Sequence, residues 1–138
     1  MPKEMGQLLA ERYLAAYNDH APEKVPEICT QNVEWDGETI SRNDLPARVQ
    51  MWIDAFPDIT MDLGTVVMDD EHVAFRFTFS GTHEGDFQGI EPTGNSVELP
   101  VMIMMSIDGE KIDGLWYELD ELELFKQLDK LELLLEES

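Results

Sequence analysis

An α+β domain, with helices on one face of a curved sheet, is the fold class this sequence predicts. Helical periodicity fills most of the first 56 residues, strand alternation occupies Ile59 to Asp120, and no repeat, low-complexity stretch or Gly/Ser linker divides the 138 residues. With 43% hydrophobic residues the chain can form a core, so one domain spanning residues 1–138 is expected.

The first helix is expected from Lys3 to Asn18, where Leu9, Tyr13, Ala16 and Tyr17 fall on one face. Past Asp19-His20-Ala21-Pro22, a helical turn through Val25 and Ile28 leads into a short strand from Asn32 to Asp36. Leu45, Val49, Trp52, Ile53 and Phe56 mark the clearest helix. Ser41 and Asn43 are its candidate N-caps, Pro46 is tolerated in its first turn, and Pro57-Asp58 stops it. Ile59, Met61, Leu63, Thr65 and Val67 then alternate along a strand that ends in the Asp69-Asp70-Glu71 turn. Val73, Phe75, Phe77 and Phe79 form one face of the next strand, with Ala74, Arg76 and Thr78 on the other. A loop with a Pro92-Thr93-Gly94 turn runs from Asp86 to Asn95. Val97–Ile107 and Lys111–Asp120 pair as a hairpin through Asp108-Gly109. Met102 and Met104, alternating with Val101, Ile103 and Met105, imply a strand buried on both faces. Leu124, Leu128, Leu131 and Leu135 place one helix over Glu121 to Glu136.

Thirty acidic residues against nine basic ones leave a net charge of −21, spread along the whole chain. Binding to DNA, RNA or anionic membranes needs a basic footprint, and none exists here. No apolar stretch approaches the roughly 20 residues of a membrane helix, and no signal peptide opens the chain, so a cytoplasmic protein is expected. A surface this acidic resembles that of a halophile's proteins, whose self-repulsion molar salt suppresses. One cysteine, Cys29, excludes an internal disulfide. With His20, His72 and His83 scattered, no metal site is expected.

The order of helices, a short strand, a helix ending in Phe56-Pro57-Asp58 and then long strands resembles the nuclear-transport-factor-2-like fold. Ser80-Gly81-Thr82-His83-Glu84-Gly85, Gly89-Ile90-Glu91-Pro92-Thr93-Gly94, and Asp108-Gly109-Glu110-Lys111-Ile112 followed by Trp116 and Asp120 resemble the succession in SnoaL-like polyketide cyclases, also called ester cyclases. The match covers roughly Ala10 to Leu128. It implies a cone-like curved sheet, mixed or antiparallel, with two to three N-terminal helices on its concave face around a deep apolar pocket, plus a C-terminal helix. It also implies an aspartate acid/base, by position Asp120, that closes a ring by intramolecular aldol chemistry without metal or cofactor. A homodimer through the sheet is expected, partly by the same analogy. The sequence departs from the pattern at Glu91, which replaces a proline, at Glu118, a second carboxylate, and in residues 129–138. There the helix is expected to run on past Gln127-Leu128-Asp129, where the family stops at Gln-Leu-Gly.

On a regular strand Gly114, Trp116, Glu118 and Asp120 share one face. If that face lines the pocket, an aromatic wall and two carboxylates stand in a row, which suits a general base for carbon acids flanked by carbonyls. The alternative is that Asp120 caps the C-terminal helix through Leu122 or Glu123 and that Glu118 is solvated. His83 continues the parity of Phe75, Phe77 and Phe79. It could donate to a substrate carbonyl or pair with Asp120, or simply be satisfied by backbone at the strand end. Arg76, on the opposite parity, either pairs with an acidic neighbour or offers its fork to a substrate carboxylate. Tyr13, Tyr17, Trp35, Trp52, Phe56 and Phe87 are pocket-wall candidates. The expected ligand is a small, mostly apolar carbonyl compound. The competing expectations are a binding module that turns nothing over, and a protein that only assembles with partners.

Overall fold

The computed structural model describes residues 2–136, with side chains described for residues 4–134. Helix α1 (Pro2–Asn18) buries Leu9, Tyr13, Ala16 and Tyr17 along the expected stripe. It ends where His20 turns left-handed at φ 53°: His20 N–H donates to the Tyr17 carbonyl and Ala21 N–H to that of Ala16, closing the last turn. Asn18 then behaves as a fragment of strand. Its Nδ2 donates to the Met61 carbonyl at 3.0 Å and its Oδ1 accepts from Met61 N–H at 2.7 Å, which docks the helix end on the sheet.

Helix α2 (Leu45–Ala55) buries Leu45, Val49 and Ile53. Its entry corrects the expected caps. Ser41 caps a single 3-10 turn, Arg42–Asp44, through Asn43 N–H, and Asp44 precedes the helix without a side-chain cap; Pro46 sits in the first turn as expected.

Six strands form one mixed sheet in the order β2-β1-β6-β5-β4-β3: β1 (Cys29–Trp35), β2 (Glu38–Ser41), β3 (Thr60–Met68), β4 (His72–Thr82), β5 (Ser96–Asp108) and β6 (Lys111–Leu119). Only the β1–β6 pairing is parallel. β1 starts earlier than its alternation predicts, and β2 is an addition. The two are joined by Asp36 and Gly37, both left-handed (φ 52° and 90°), a turn that an Asp-Gly pair favours.

Two irregularities change which residues face inward. In β3, Leu63 lies opposite Phe77 but Val66 lies opposite Phe75, so the strand carries one extra residue at Gly64-Thr65. Leu63, Val66 and Met68 pack on the core, while Val67, expected inside, is 61% exposed. In β6, Ser106 of β5 faces Gly114 but Ile107 faces Ile112, so Asp113 is the extra residue, held by the Ser106 hydroxyl at 2.6 Å. Beyond it Leu115, Tyr117 and Leu119 lie opposite the inward Met105, Ile103 and Val101, and Trp116 and Glu118 lie opposite Met104 and Met102. Met102 and Met104 are 58% and 44% exposed, so β5 is buried on one face only. Val67, Ala74, Met104 and Trp116 are cross-strand partners and make an apolar row over the outer face of four strands.

The C-terminal segment is two helices rather than one, α3 (Glu121–Gln127) and α4 (Leu131–Glu136). Asp129 is left-handed (φ 62°), with its N–H on the Lys126 carbonyl and Lys130 N–H on that of Phe125. These paired bonds stop α3 where the resemblance puts a glycine, and Asp129 fills the glycine's position. Leu124 and Leu128 are buried as expected. The side chain of Leu135, and residues 137–138 of the expected extension, lie outside the described residues.

Candidate active site

Between the helices and the inner sheet face lies a cavity of about 480 Å³, large enough for a ligand of drug-like size. Its walls follow from the patterns above. α1 contributes Tyr13 and Tyr17, α2 contributes Arg48, Met51 and Trp52, and the inner face supplies Phe77 and Phe79 from β4, Leu99, Val101 and Ile103 from β5, and Tyr117 and Leu119 from β6. Trp35 closes the wall at the end of β1. Gln88 reaches it from a tight turn in which Gln88 and Gly89 are both left-handed and Phe87 bridges Ile90.

Most of this surface is apolar, and its polar groups are the Tyr13, Tyr17 and Tyr117 hydroxyls, the Arg48 guanidinium and the Gln88 amide. The Tyr13 and Tyr17 hydroxyls are hydrogen-bonded to each other at 2.8 Å, and the Tyr13 ring lies 6.4 Å from that of Trp35. The Arg48 guanidinium lies 5.9 Å above the same indole and donates to Glu38 at 3.1 Å. Burial pushes the Tyr17 phenol up to about 12 and Tyr13 well above its ordinary value. Tyr117 is raised too, again mainly by desolvation, with Arg48 opposing. All three are neutral hydroxyls near pH 7, which can donate a hydrogen bond but do not ionise.

Of the residues singled out from sequence, Tyr13, Tyr17, Trp35 and Trp52 line the cavity. Phe56 and Phe87 do not. They are buried behind Trp52, with ring centroids 6.2 and 5.1 Å from it, because α2 and the turn after β4 press them into one aromatic cluster. Arg76 stands on the outer face, its nearest polar partner the Thr65 hydroxyl at 3.4 Å. Trp116 and Glu118 are outside as well, since the Asp113 bulge gives the inner face to Leu115, Tyr117 and Leu119. Asp120 is exposed and is the N-cap of α3, its Oδ1 accepting from Glu123 N–H at 2.9 Å.

His83 is fully buried and carries on the aromatic face, 5.6 Å from Phe56 and 6.4 Å from Phe87. It reaches neither the cavity wall nor Asp120. Its Nδ1 accepts from Thr93 N–H at 3.2 Å and contacts the Thr93 hydroxyl at 3.1 Å, so the proton resides on Nε2, which has no partner among the described residues. Desolvation lowers its pKa, with Gly85 and Asp86 pulling weakly the other way.

The glycine-rich motif around His83 is scaffold. A Cβ on Gly81 would come within 2.9 Å of Phe56 Cβ, and one on Gly85 would collide with the Asp54 carbonyl. Glu84 and Gly85 N–H groups both donate to Ala55, and Asp58 accepts from Thr82 N–H at 2.7 Å and its hydroxyl at 2.8 Å, bonds that hold the Asp58 carboxyl below its usual range. Phe56-Pro57-Asp58 and Ser80–Gly85 thus clamp the end of α2 to the end of β4 and fix one wall. Arg48, Tyr117 and Gln88 are the lining residues that hydropathy does not pick out.

The family model of SnoaL-like polyketide cyclases matches residues 7–128. The chain belongs to this family. Among solved structures, TsrD from Streptomyces laurentii is 25% identical with a TM-score of 0.85, the match covering 93% of this chain and 97% of TsrD. A SnoaL-like polyketide cyclase from Agrobacterium tumefaciens is 22% identical over 87% of this chain and 94% of its own, with a TM-score of 0.76. AclR from Streptomyces galilaeus, a candidate hydroxylase, is 23% identical over 91% and 96%, with a TM-score of 0.79. No curated protein matches the chain. The SnoaL-like fold is therefore shared across differently named activities, and the chemistry must be argued from the cavity.

Proposed function

We propose that this SnoaL-like protein binds a mostly apolar carbonyl compound in the cavity and promotes its enolisation, as the first step of an aldol-type cyclisation or an isomerisation. The Tyr13–Tyr17 pair carries the reading. Two hydroxyls share two protons but make one bond with each other, and neither has another partner among the described residues. One O–H therefore remains to donate to a ligand oxygen inside a cavity that burial keeps apolar. A preformed donor aimed at a developing enolate oxygen is the kind of group whose loss costs about 10²–10³ in rate. The proton leaving carbon passes to a base admitted from solvent; the enolate carbon then attacks a second carbonyl, whose π bond opens to an alkoxide that takes that proton back, or the enolate is reprotonated at another carbon.

The test follows deuterium exchange at the α-carbon of an apolar 1,3-dicarbonyl compound by NMR. Tyr13→Phe/Tyr17→Phe removes both hydroxyls and leaves no unpaired partner, so it should fold normally and lose about 100-fold in exchange rate. Each single variant leaves one free hydroxyl and should lose less. Asp120→Asn keeps the N-cap and is expected to stay near the parent rate. A parent rate in the double variant with a large loss in Asp120→Asn would transfer the reaction to Asp120.

A further inference from the structure

Thirty of the 138 residues are acidic, yet among the described residues no carboxylate lines the cavity wall, and its one charged residue there is Arg48. On a chain with more than three acidic residues for each basic one, that inversion of sign is the strongest local departure from the composition. The Arg48 guanidinium carbon lies 5.9 Å from the Trp35 ring centroid, a cation–π contact, with the side chain 44% exposed. Of its five N–H donors one is committed to Glu38, and no other acceptor meets it among the described residues. Glu38 lies on the short edge strand β2 with its side chain 70% exposed, so this is a solvent-screened, exchangeable partner. The Tyr13, Tyr17 and Tyr117 hydroxyls add neutral donors to the same cavity, whose remaining wall is aromatic and aliphatic.

We infer that the cavity takes an amphipathic organic anion: an apolar ring or chain ending in a carboxylate or a similarly delocalised oxyanion, which replaces Glu38 on the Arg48 fork while the body packs against Trp52, Phe77 and Phe79. This deepens the reading above and rests on its premise that the cavity is the ligand site. A planar guanidinium with free N–H donors matches a two-oxygen head with parallel hydrogen bonds. With no carboxylate among the described lining residues, the repulsion an anion meets here comes from Glu38 beside the fork and from Asp36, Glu118 and Glu121, which act on Tyr117. Salt at molar strength screens the long-range repulsion more than it weakens a direct, partly buried contact.

The experiment compares two probes with nearly the same body, 1-anilinonaphthalene-8-sulfonate and the uncharged N-phenyl-1-naphthylamine. Both are titrated by fluorescence in one KCl concentration at which circular dichroism shows the protein folded. Both should bind the parent protein with one-to-one stoichiometry. Arg48→Met should weaken the sulfonate about tenfold or more and leave the neutral amine essentially unchanged, with Arg48→Lys in between. Glu38→Gln, which frees the fork, should tighten the sulfonate several-fold. Equal sulfonate affinity in the parent and Arg48→Met, with the neutral probe bound, overturns the anion site and leaves the apolar-cavity reading standing. A fall in melting temperature on Glu38→Gln with no change in sulfonate affinity also overturns it, by making the Arg48–Glu38 pair purely structural. Failure of both probes to bind the folded parent removes the cavity reading itself and the inference with it.

Discussion

At the scale of single residues, His83 shows how a titratable group can serve the fold without serving the site. Thr93 presents its N–H to Nδ1, an arrangement that only the neutral imidazole satisfies, and full burial opposes protonation as well. The native pKa is therefore below the 6.5 of the unfolded chain. As pH falls through 6.5, the unfolded state takes up a proton before the native state does, so stability drops until the native pKa is passed. His83→Asn keeps an acceptor near the Nδ1 position, and urea midpoints measured from pH 7.5 to 5 should fall less steeply in this variant than in the parent. Parallel curves would show that the buried ring does not control the acid limb. The burial of His83 beside the phenylalanines is legible from strand parity, whereas its partner ten positions later is set by the loop and is not. Arg48 shows the reverse limit. It lies at the margin of the inward arc of α2, beside Trp52, with its side chain 44% exposed, and an arginine read by hydropathy goes to solvent.

At the scale of elements, the helices were the legible part and the outward or inward sense of two strands was not. Leu9, Tyr13 and Tyr17, or Leu45, Val49 and Ile53, repeat at a period that tolerates small errors at either end. A strand has a period of two, so one inserted residue exchanges its faces completely. That is what Asp113 does to Trp116, Glu118 and Tyr117, and what Gly64-Thr65 does to Val67. A glycine inside each of these runs, Gly64 and Gly114, is the available sign of an irregularity. The break between α3 and α4 was hidden differently, because an aspartate occupies the left-handed position that a glycine would have announced. Asp129→Gly should relieve that conformation and stabilise the fold by about 0.5–1 kcal/mol, or roughly 2–4 °C in Tm for a chain of this size. Asp129→Asn, equal in charge change but still carrying a side chain, should give less of the gain. Equal gains in both would assign the effect to charge.

At the scale of the whole molecule, 21 uncompensated negative charges share 7705 Å² of surface, about 370 Å² each. Among the described residues the one ion pair of Lys or Arg with a carboxylate is Arg48–Glu38, so repulsion is met by solvent ions rather than by partners. Raising KCl from 0.1 M to 1 M shortens the screening length from about 10 to about 3 Å, and Tm is expected to climb by several degrees over that range. In the same series, sedimentation should report two copies at molar salt, joined through the outer row of Val67, Ala74, Met104 and Trp116, once the like charges around it are screened. A flat Tm would remove the electrostatic account, and a monomer mass at molar salt would remove the dimer. Composition makes the surface field legible at once. The cavity, by contrast, depends on how six strands align, and no count of residues contains that.

The parallel pairing of β1 with β6 has a consequence for how the molecule comes into being. Glu34 meets Gly114, 80 positions further along, and β1 and β2 have no other place in the sheet. During synthesis the first hairpin therefore emerges long before the strand that receives it, and the wall carrying Trp35 waits for that strand. Contacts this distant in sequence are slow to close. The cavity is thus complete only once β6 has been made, and a chain interrupted before Lys111 would display the aromatic faces of α1 and α2 with no sixth strand to complete their cover.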